Sequence, residues 1–152
     1  MNTFELEIKM QPFMNDYYES QGKTFDRSQA CKRFDVIVNG SKVEEKYLLS
    51  EKYSCFLVEI VQQAKPPKLD WGWFYHCEAD YLAWIHCSQK QPIEVLFIEY
   101  KILQDHIFSM FEKNKWIQVN LCPINYGLTI NIPVQWNSIK HTSHKFEKAG
   151  NE

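Results

Sequence analysis

No apolar stretch of this chain is long enough to span a bilayer, which removes a membrane-crossing helix from its 152 residues. No secretory leader is expected, because Glu5 and Glu7 stand where such a segment would be apolar. The five cysteines, at positions 31, 55, 77, 87 and 122, are odd in number and scattered, with no paired spacing. They read as reduced thiols, and a cytoplasmic protein is the expectation. The pairs His76-Cys77 and His86-Cys87 resemble zinc ligands, but if they lie on one strand ten residues separate them by about 33 Å, and they share a metal only if that strand is broken. No Gly-x-Ser-x-Gly elbow and no phosphate-binding glycine loop occurs, so the usual serine-hydrolase and nucleotide-binding readings fall away. Excess positive charge is lacking too. At a net charge of −2, a nucleic-acid partner requires a local basic patch or metal ions that offset acidic groups.

What is present is a globular composition, 45% hydrophobic and 15% aromatic, with no internal repeat or low-complexity linker. Length and composition predict one domain over 1–139 and a polar, frayed tail over 140–152. Phe4-x-Leu6-x-Ile8-x-Met10 alternates like a short strand, with a helical start as the other option, and Pro12 to about Ser20 reads as helix ending near Gly22. A hairpin is expected over 33–48. Ser50 then caps a predicted amphipathic helix, with Tyr53, Phe56, Leu57, Ile60, Val61 and Ala64 on one face. Trp73–Cys87 and Ile93–Glu99 read as strands around a turn. Lys101–Lys113 reads as a helix with Leu103, Ile107, Met110 and Phe111 inward, and Trp116–Leu121 and Gly127–Pro133 read as short strands. This order fits an α/β or α+β sheet with helices against it, without singling out one fold.

The chemistry concentrates in the hairpin. Asn39-Gly40 between β-branched runs is the strongest short signal for a type I′ turn. Such a turn pairs Val38 with Ser41 and sets Asp35 opposite Glu44, with side chains on one face about 4.5–5.5 Å apart at Cβ. Sheet formation gives no reason to oppose two carboxylates. A divalent cation does, because hard metals take carboxylate oxygens. Lys46 follows on the same face. Two metal-binding carboxylates beside a lysine are suited to phosphodiester cleavage. Acid-x-Lys triplets are common, and two others occur here. Glu7-Ile-Lys9 has no upstream aspartate. Glu99-Tyr-Lys101 competes through Asp80; a simple hairpin over Ser88–Pro92 puts Asp80 opposite Tyr100 and out of phase, while a one-residue change of loop register would bring it into phase.

The spacing Asp35…Glu44-Glu45-Lys46 resembles the core of the PD-(D/E)XK nuclease superfamily. The run from Lys32 to Tyr47, and Gly72-Trp-Phe-Tyr-His-Cys-Glu-Ala-Asp-Tyr-Leu82, are similar to small phage and bacterial orphan members. The likeness covers roughly residues 12–136, with Phe34 where the superfamily name has proline. It implies a restriction-endonuclease-like mixed central sheet flanked by helices, and Mg²⁺- or Mn²⁺-dependent nuclease activity on DNA. Asp35 and Glu44 would be metal ligands, assisted by the Glu45 carbonyl, with Lys46 beside the attacked phosphate. Members often draw another acid from the first helix; Asp16 and Glu19 are available, and Glu19 is preferred.

Other residues keep two readings. Glu45 interrupts a core face made by Phe34, Val36, Val38, Val43 and Tyr47: it snorkels, pairs with a cation, or replaces Glu44 after a register slip. Lys23, Arg27, Lys32 and Arg33 could hold phosphates or be ordinary surface cations. Trp71, within the Trp71–Tyr75 aromatic cluster, is a candidate for base stacking against the alternative of core packing. A chain this small could cut both strands of a duplex as a homodimer. The alternative function is a non-catalytic protein on the same scaffold, a phage or host-defence factor that binds nucleic acid or a protein partner.

Overall fold

The computed structural model describes residues 3–49, 55–65, 68–113, 117–124 and 127–146. In chain order its elements are α1 (Thr3–Ser20), β1 (Phe25–Asp26), β2 (Val36–Val38), β3 (Ser41–Leu49), β4 (Cys55–Lys65), β5 (Lys68–Trp71) and α2 (Trp73–His76). They continue as β6 (Tyr81–Cys87), β7 (Pro92–Glu99), α3 (Tyr100–Lys113), β8 (Asn120–Ile124), β9 (Gly127–Gln135) and β10 (Thr142–Lys145). The fold is mixed α+β, with a six-stranded sheet in the order β1-β2-β3-β6-β7-β10 and a four-stranded sheet in the order β5-β4-β9-β8. The chain divides into two compact units. One comprises Met1–Lys52, Glu78–Lys101 and Lys140–Glu152; the other comprises Tyr53–Cys77 and Ile102–Ile139.

The first unit carries the larger sheet, in which β3 and β6 are parallel and every other pairing is antiparallel. One of its faces meets α1. Leu6, Met10, Met14, Tyr17 and Tyr18 of the helix are buried with Val36, Val43, Tyr47, Ala83, Ile85 and Val95. The alternation over residues 4–10 is therefore resolved as helix, because Leu6 and Met10 lie one turn apart while Ile8 is 56% exposed. Pro12 is tolerated inside α1 because it and Ile8, the residue whose carbonyl it leaves without a donor, are both on the solvent side. The helix stops at Gly22 (φ 65°). There the Lys23 N–H donates to the Tyr18 carbonyl at 2.9 Å and the Gly22 N–H to the Glu19 carbonyl at 2.9 Å, the paired bonds of a Schellman end. Residues 142–145, expected as frayed tail, instead pair with β7 as an edge strand.

The second unit corrects the predicted Ser50-capped helix. Residues 55–65 form β4, hydrogen-bonded to both β5 and β9, while Ser50 and Tyr53 lie outside the described residues. Phe56, Val58 and Ile60 are buried alternately. The run is apolar on both strand faces, so it satisfies the helical and strand templates together, and pairing on two sides decides between them. The predicted strand over 73–87 is likewise split, with α2 at its start and β6 beginning only at Tyr81. In α3, Leu103 and Ile107 are buried, but Phe111 is exposed, contrary to expectation.

Gly72 joins β5 to α2 where the backbone of β4 comes closest. Its N–H donates to the Ile60 carbonyl at 2.7 Å. A Cβ there would lie 2.6 Å from the Glu59 carbonyl carbon and 2.8 Å from its Cγ. Because backbone cannot turn away as a side chain can, Gly72→Ala is expected to cost about 1–3 kcal/mol of stability. Urea denaturation measures it; a loss below about 0.5 kcal/mol, the scale of a neutral surface change, would mean that β4 shifts freely.

Candidate active site

The hairpin forms in the expected register. Asn39 and Gly40 both take positive φ, 48° and 84°, as a type I′ turn requires. Val36 faces Val43, Ile37 faces Lys42 and Val38 faces Ser41. The Asp35 N–H donates to the Val43 carbonyl at 2.9 Å, so Asp35 and Val36 both face Val43 and the ladder ends in a bulge at Asp35 rather than in an Asp35–Glu44 pair. Beyond that point the β2 side departs: residues 31–34 make a tight turn closed by a Cys31–Phe34 bridge, and the Arg33 carbonyl accepts instead from the Glu78 N–H. The Glu45 N–H, deprived of a strand partner, donates to Asp35 Oδ2 at 2.7 Å. The end of strand β2 thus holds the Asp35 carboxylate against β3.

Glu44 is buried and is ion-paired through Oε1 with Lys46 Nζ. Among the described residues, Asp35 Oδ1 and Glu44 Oε2 make no hydrogen bond. Burial, and then the negative charge of Glu44, push the Asp35 carboxyl up to about 7; Lys46 and the Glu45 N–H oppose the shift. Burial and then Asp35 also raise Glu7, on α1. Glu7, whose Oε1 accepts from Gln11 Nε2 at 3.3 Å, is the acid of the first helix that senses this site. Its own acid-x-Lys triplet was set aside for lack of an upstream aspartate, and the sequence contains no other signal for it.

A carboxyl that ionises less readily folded than unfolded makes stability fall as pH rises. For Asp35 the loss is absent below the unfolded value of about 4 and complete above about 7. Glu7 adds in the same direction. Asp35→Asn should therefore flatten the decline in melting temperature between pH 4 and pH 7. If the variant declines as steeply as the parent, Asp35 is not the group responsible.

Several predicted site residues fall elsewhere. Glu19 is exposed in the last turn of α1, twelve residues from Glu7 and hence about 18 Å along the helix. That end of the helix approaches the hairpin turn, where Thr24 N–H donates to Asn39 Oδ1 at 2.8 Å. Asp35 lies at the open end of the hairpin, so Glu19 does not join it. The Glu45 side chain points to the opposite face of β3 and is fully buried. It accepts from Tyr18 Oη at 2.9 Å, Tyr47 Oη at 2.7 Å, and both terminal nitrogens of Arg27 at 2.9 and 3.0 Å. Burial and the Glu45 charge raise both phenols, keeping them protonated donors. Only the Glu45 carbonyl is left as a potential ligand atom.

Arg27 is correspondingly unavailable to phosphate: its guanidinium is committed to Glu45 and, through Nε, to Asn15 Oδ1 at 2.8 Å. Arg33 pairs with Glu78, Lys23 lies over the Phe97 ring at 5.5 Å, and Lys32 is exposed. Trp71 is 57% exposed in the second unit, its ring 4.7 Å from that of Tyr75. The competing triplet is removed by register. Tyr81 faces Glu99, the Tyr100 N–H donates to the Asp80 carbonyl, and Asp80 Oδ2 accepts from the Lys42 N–H at 2.8 Å.

Asp35 Oδ1, Glu44 Oε2 and the Glu45 carbonyl are hard oxygen donors of the kind Mg²⁺ and Mn²⁺ take, and a cation would relieve the Asp35–Glu44 repulsion. The donor set fits such an ion as a two-carboxylate site. Among the described residues no group of three or more His, Cys, Asp and Glu side chains is placed to hold a metal, so water or substrate oxygens would complete the shell. No protein-family model, curated protein or solved structure matches this chain.

Proposed function

We propose that this chain is a Mg²⁺- or Mn²⁺-dependent phosphodiester hydrolase acting on DNA, of the PD-(D/E)XK type. The observation that carries the reading is the Asp35 carboxylate bonded to the Glu45 N–H, next to a buried Glu44 that is paired with Lys46. The repulsion between Asp35 and Glu44 has no structural use. Asp35, Glu44 and the Glu45 carbonyl would hold the ion, with Glu7 nearby on α1 in the place first given to Glu19. A bound metal would polarise the scissile phosphate and lower the pKa of a coordinated water. Glu45 N–H keeps Asp35 Oδ2 oriented, leaving Oδ1 for binding. Lys46 Nζ, on exchanging Glu44 for substrate, would donate to a phosphate oxygen and stabilise the charge that builds there.

The ion pair between Lys46 and Glu44 favours a second reading as well: a non-catalytic protein in which lysine permanently neutralises the acid and the surface serves nucleic acid or a protein partner. Single-stranded, duplex and branched labelled DNA, incubated with the purified chain with and without Mg²⁺ or Mn²⁺, separates the two. Metal-dependent cleavage is the expected result. No cleavage of any substrate would transfer the assignment to the binding protein. Duplex cutting would be easiest for a homodimer, and a cytoplasmic location accords with this role. Among the described residues no helix is long and apolar enough to cross a membrane.

A further inference from the structure

On its α1 side the larger sheet extends past the last turn of the helix. Helix α1 covers Ala83, Ile85 and Val95, and its Tyr17 stacks on the Phe97 ring at 5.9 Å, but it ends before Tyr81 and Thr142, which share that face through the pairings Ala83–Phe97 and Thr142–Phe97. The result is a cavity of about 440 Å³ bounded by the end of α1, the hairpin turn and edge strand β10. Its volume is in the range of small-molecule sites.

The lining has a definite chemistry. The chain has 19 acidic residues against 17 basic ones, yet no Asp or Glu lines this cavity, whereas Lys23 and His144 do. Lys23 Nζ stands 5.5 Å above the Phe97 ring. Tyr81, 37% exposed, contributes a second aromatic surface. Ser41 and Thr142, both on the α1 face of the sheet, bring hydroxyls to the same space. Aromatic surfaces accept a planar ring by stacking. An ammonium with hydroxyls around it accepts a phosphate through charge-assisted hydrogen bonds.

We infer that this cavity binds a nucleotide, its base against Tyr81 and its phosphate at Lys23 and the hydroxyls of Thr142 and Ser41. The ligand is a free nucleoside monophosphate or the phosphorylated end of a strand, which share this chemistry. The site uses neither Asp35, Glu44 nor Lys46, and it stands whether or not the chain cuts DNA.

The test uses the full chain in EDTA, where no metal-dependent cleavage can interfere. It is titrated calorimetrically with adenosine 5′-monophosphate, adenosine, inorganic phosphate, and a short single-stranded DNA with and without a 5′-phosphate. Adenosine and phosphate should each bind at least about tenfold more weakly than the phosphorylated ligand that carries both groups. Lys23→Ala should weaken that ligand by about tenfold or more, with Lys23→Arg largely retaining it. Thr142→Glu, which sets a carboxylate into the cavity from an exposed position on β10, should abolish it. Binding of the monophosphate identifies a free nucleotide as the ligand; binding of the phosphorylated strand alone identifies strand ends. The inference is overturned if neither binds at millimolar concentration, or if binding survives both Lys23→Ala and Thr142→Glu.

Discussion

Lys46→Ala is expected to lower metal-dependent DNA cleavage by about 10²–10³-fold, the usual loss when one donor to developing charge is removed. The same variant should bind Mg²⁺ more tightly than the parent, because the ion pair that occupies Glu44 Oε1 disappears. Glu44→Ala behaves differently: it removes a ligand and should lose both metal affinity and cleavage. Single-turnover rates at saturating Mg²⁺, with metal affinity measured by calorimetry, separate the two effects. A Lys46→Ala protein that cuts as fast as the parent at saturating metal would reduce Lys46 to a counter-ion for Glu44. The role given to it here would then be wrong. Slow cutting with tightened metal binding would mark Lys46 as acting on the phosphate.

Arg27→Ala should destabilise the fold by about 3–5 kcal/mol, because it strands a charged Glu45 with no exposure to water. Two bonds from the guanidinium would be lost, leaving only the Tyr18 and Tyr47 hydroxyls on that carboxylate. The Arg27→Met, Glu45→Gln double variant should recover most of the loss. An amide oxygen can still accept from both tyrosines, and no charge is left buried. Urea denaturation of the single and double variants measures the coupling. If Arg27→Ala costs less than about 1 kcal/mol, in the range of an exposed ion pair, water reaches Glu45 in solution. DNA binding would be a poor readout of this residue, since Arg27 faces the interior rather than a phosphate.

These two neighbours, Glu45 and Lys46, divide what could and could not be read in advance. That Lys46 shares a face with Glu44 follows from strand alternation. That Glu45 interrupts the core face was equally visible, and a cation partner was among its options. Which cation remained open, because Arg27 is eighteen positions away in sequence and reaches Glu45 only after α1, β1 and the hairpin have packed. The same distance effect hides that Glu7 of α1 feels the charge of Asp35. The pattern locates α1, but only packing decides which of its residues approach the hairpin. Strand β4 was misread as helix because Phe56, Leu57, Val58, Ile60 and Val61 satisfy both periodicities. Strand β10 was missed because Thr142–Lys145 has no apolar alternation and is ordered by its bonds to β7.

The sequence by itself determined the pairing of Val36–Val38 with Ser41–Val43, the shared face of Glu44 and Lys46, and the end of α1 at Gly22. The turn and the helix end close within a few residues, where the φ preference of Asn and Gly fixes the geometry before any core exists. Tertiary structure alone decided the bulge at Asp35, the phase that removes Asp80, the partner of Glu45, the strand state of residues 55–65 and the cavity beside β10. Those depend on contacts between segments far apart in the chain. Their free energy comes from pairing and burial in the assembled sheet, which no local pattern encodes.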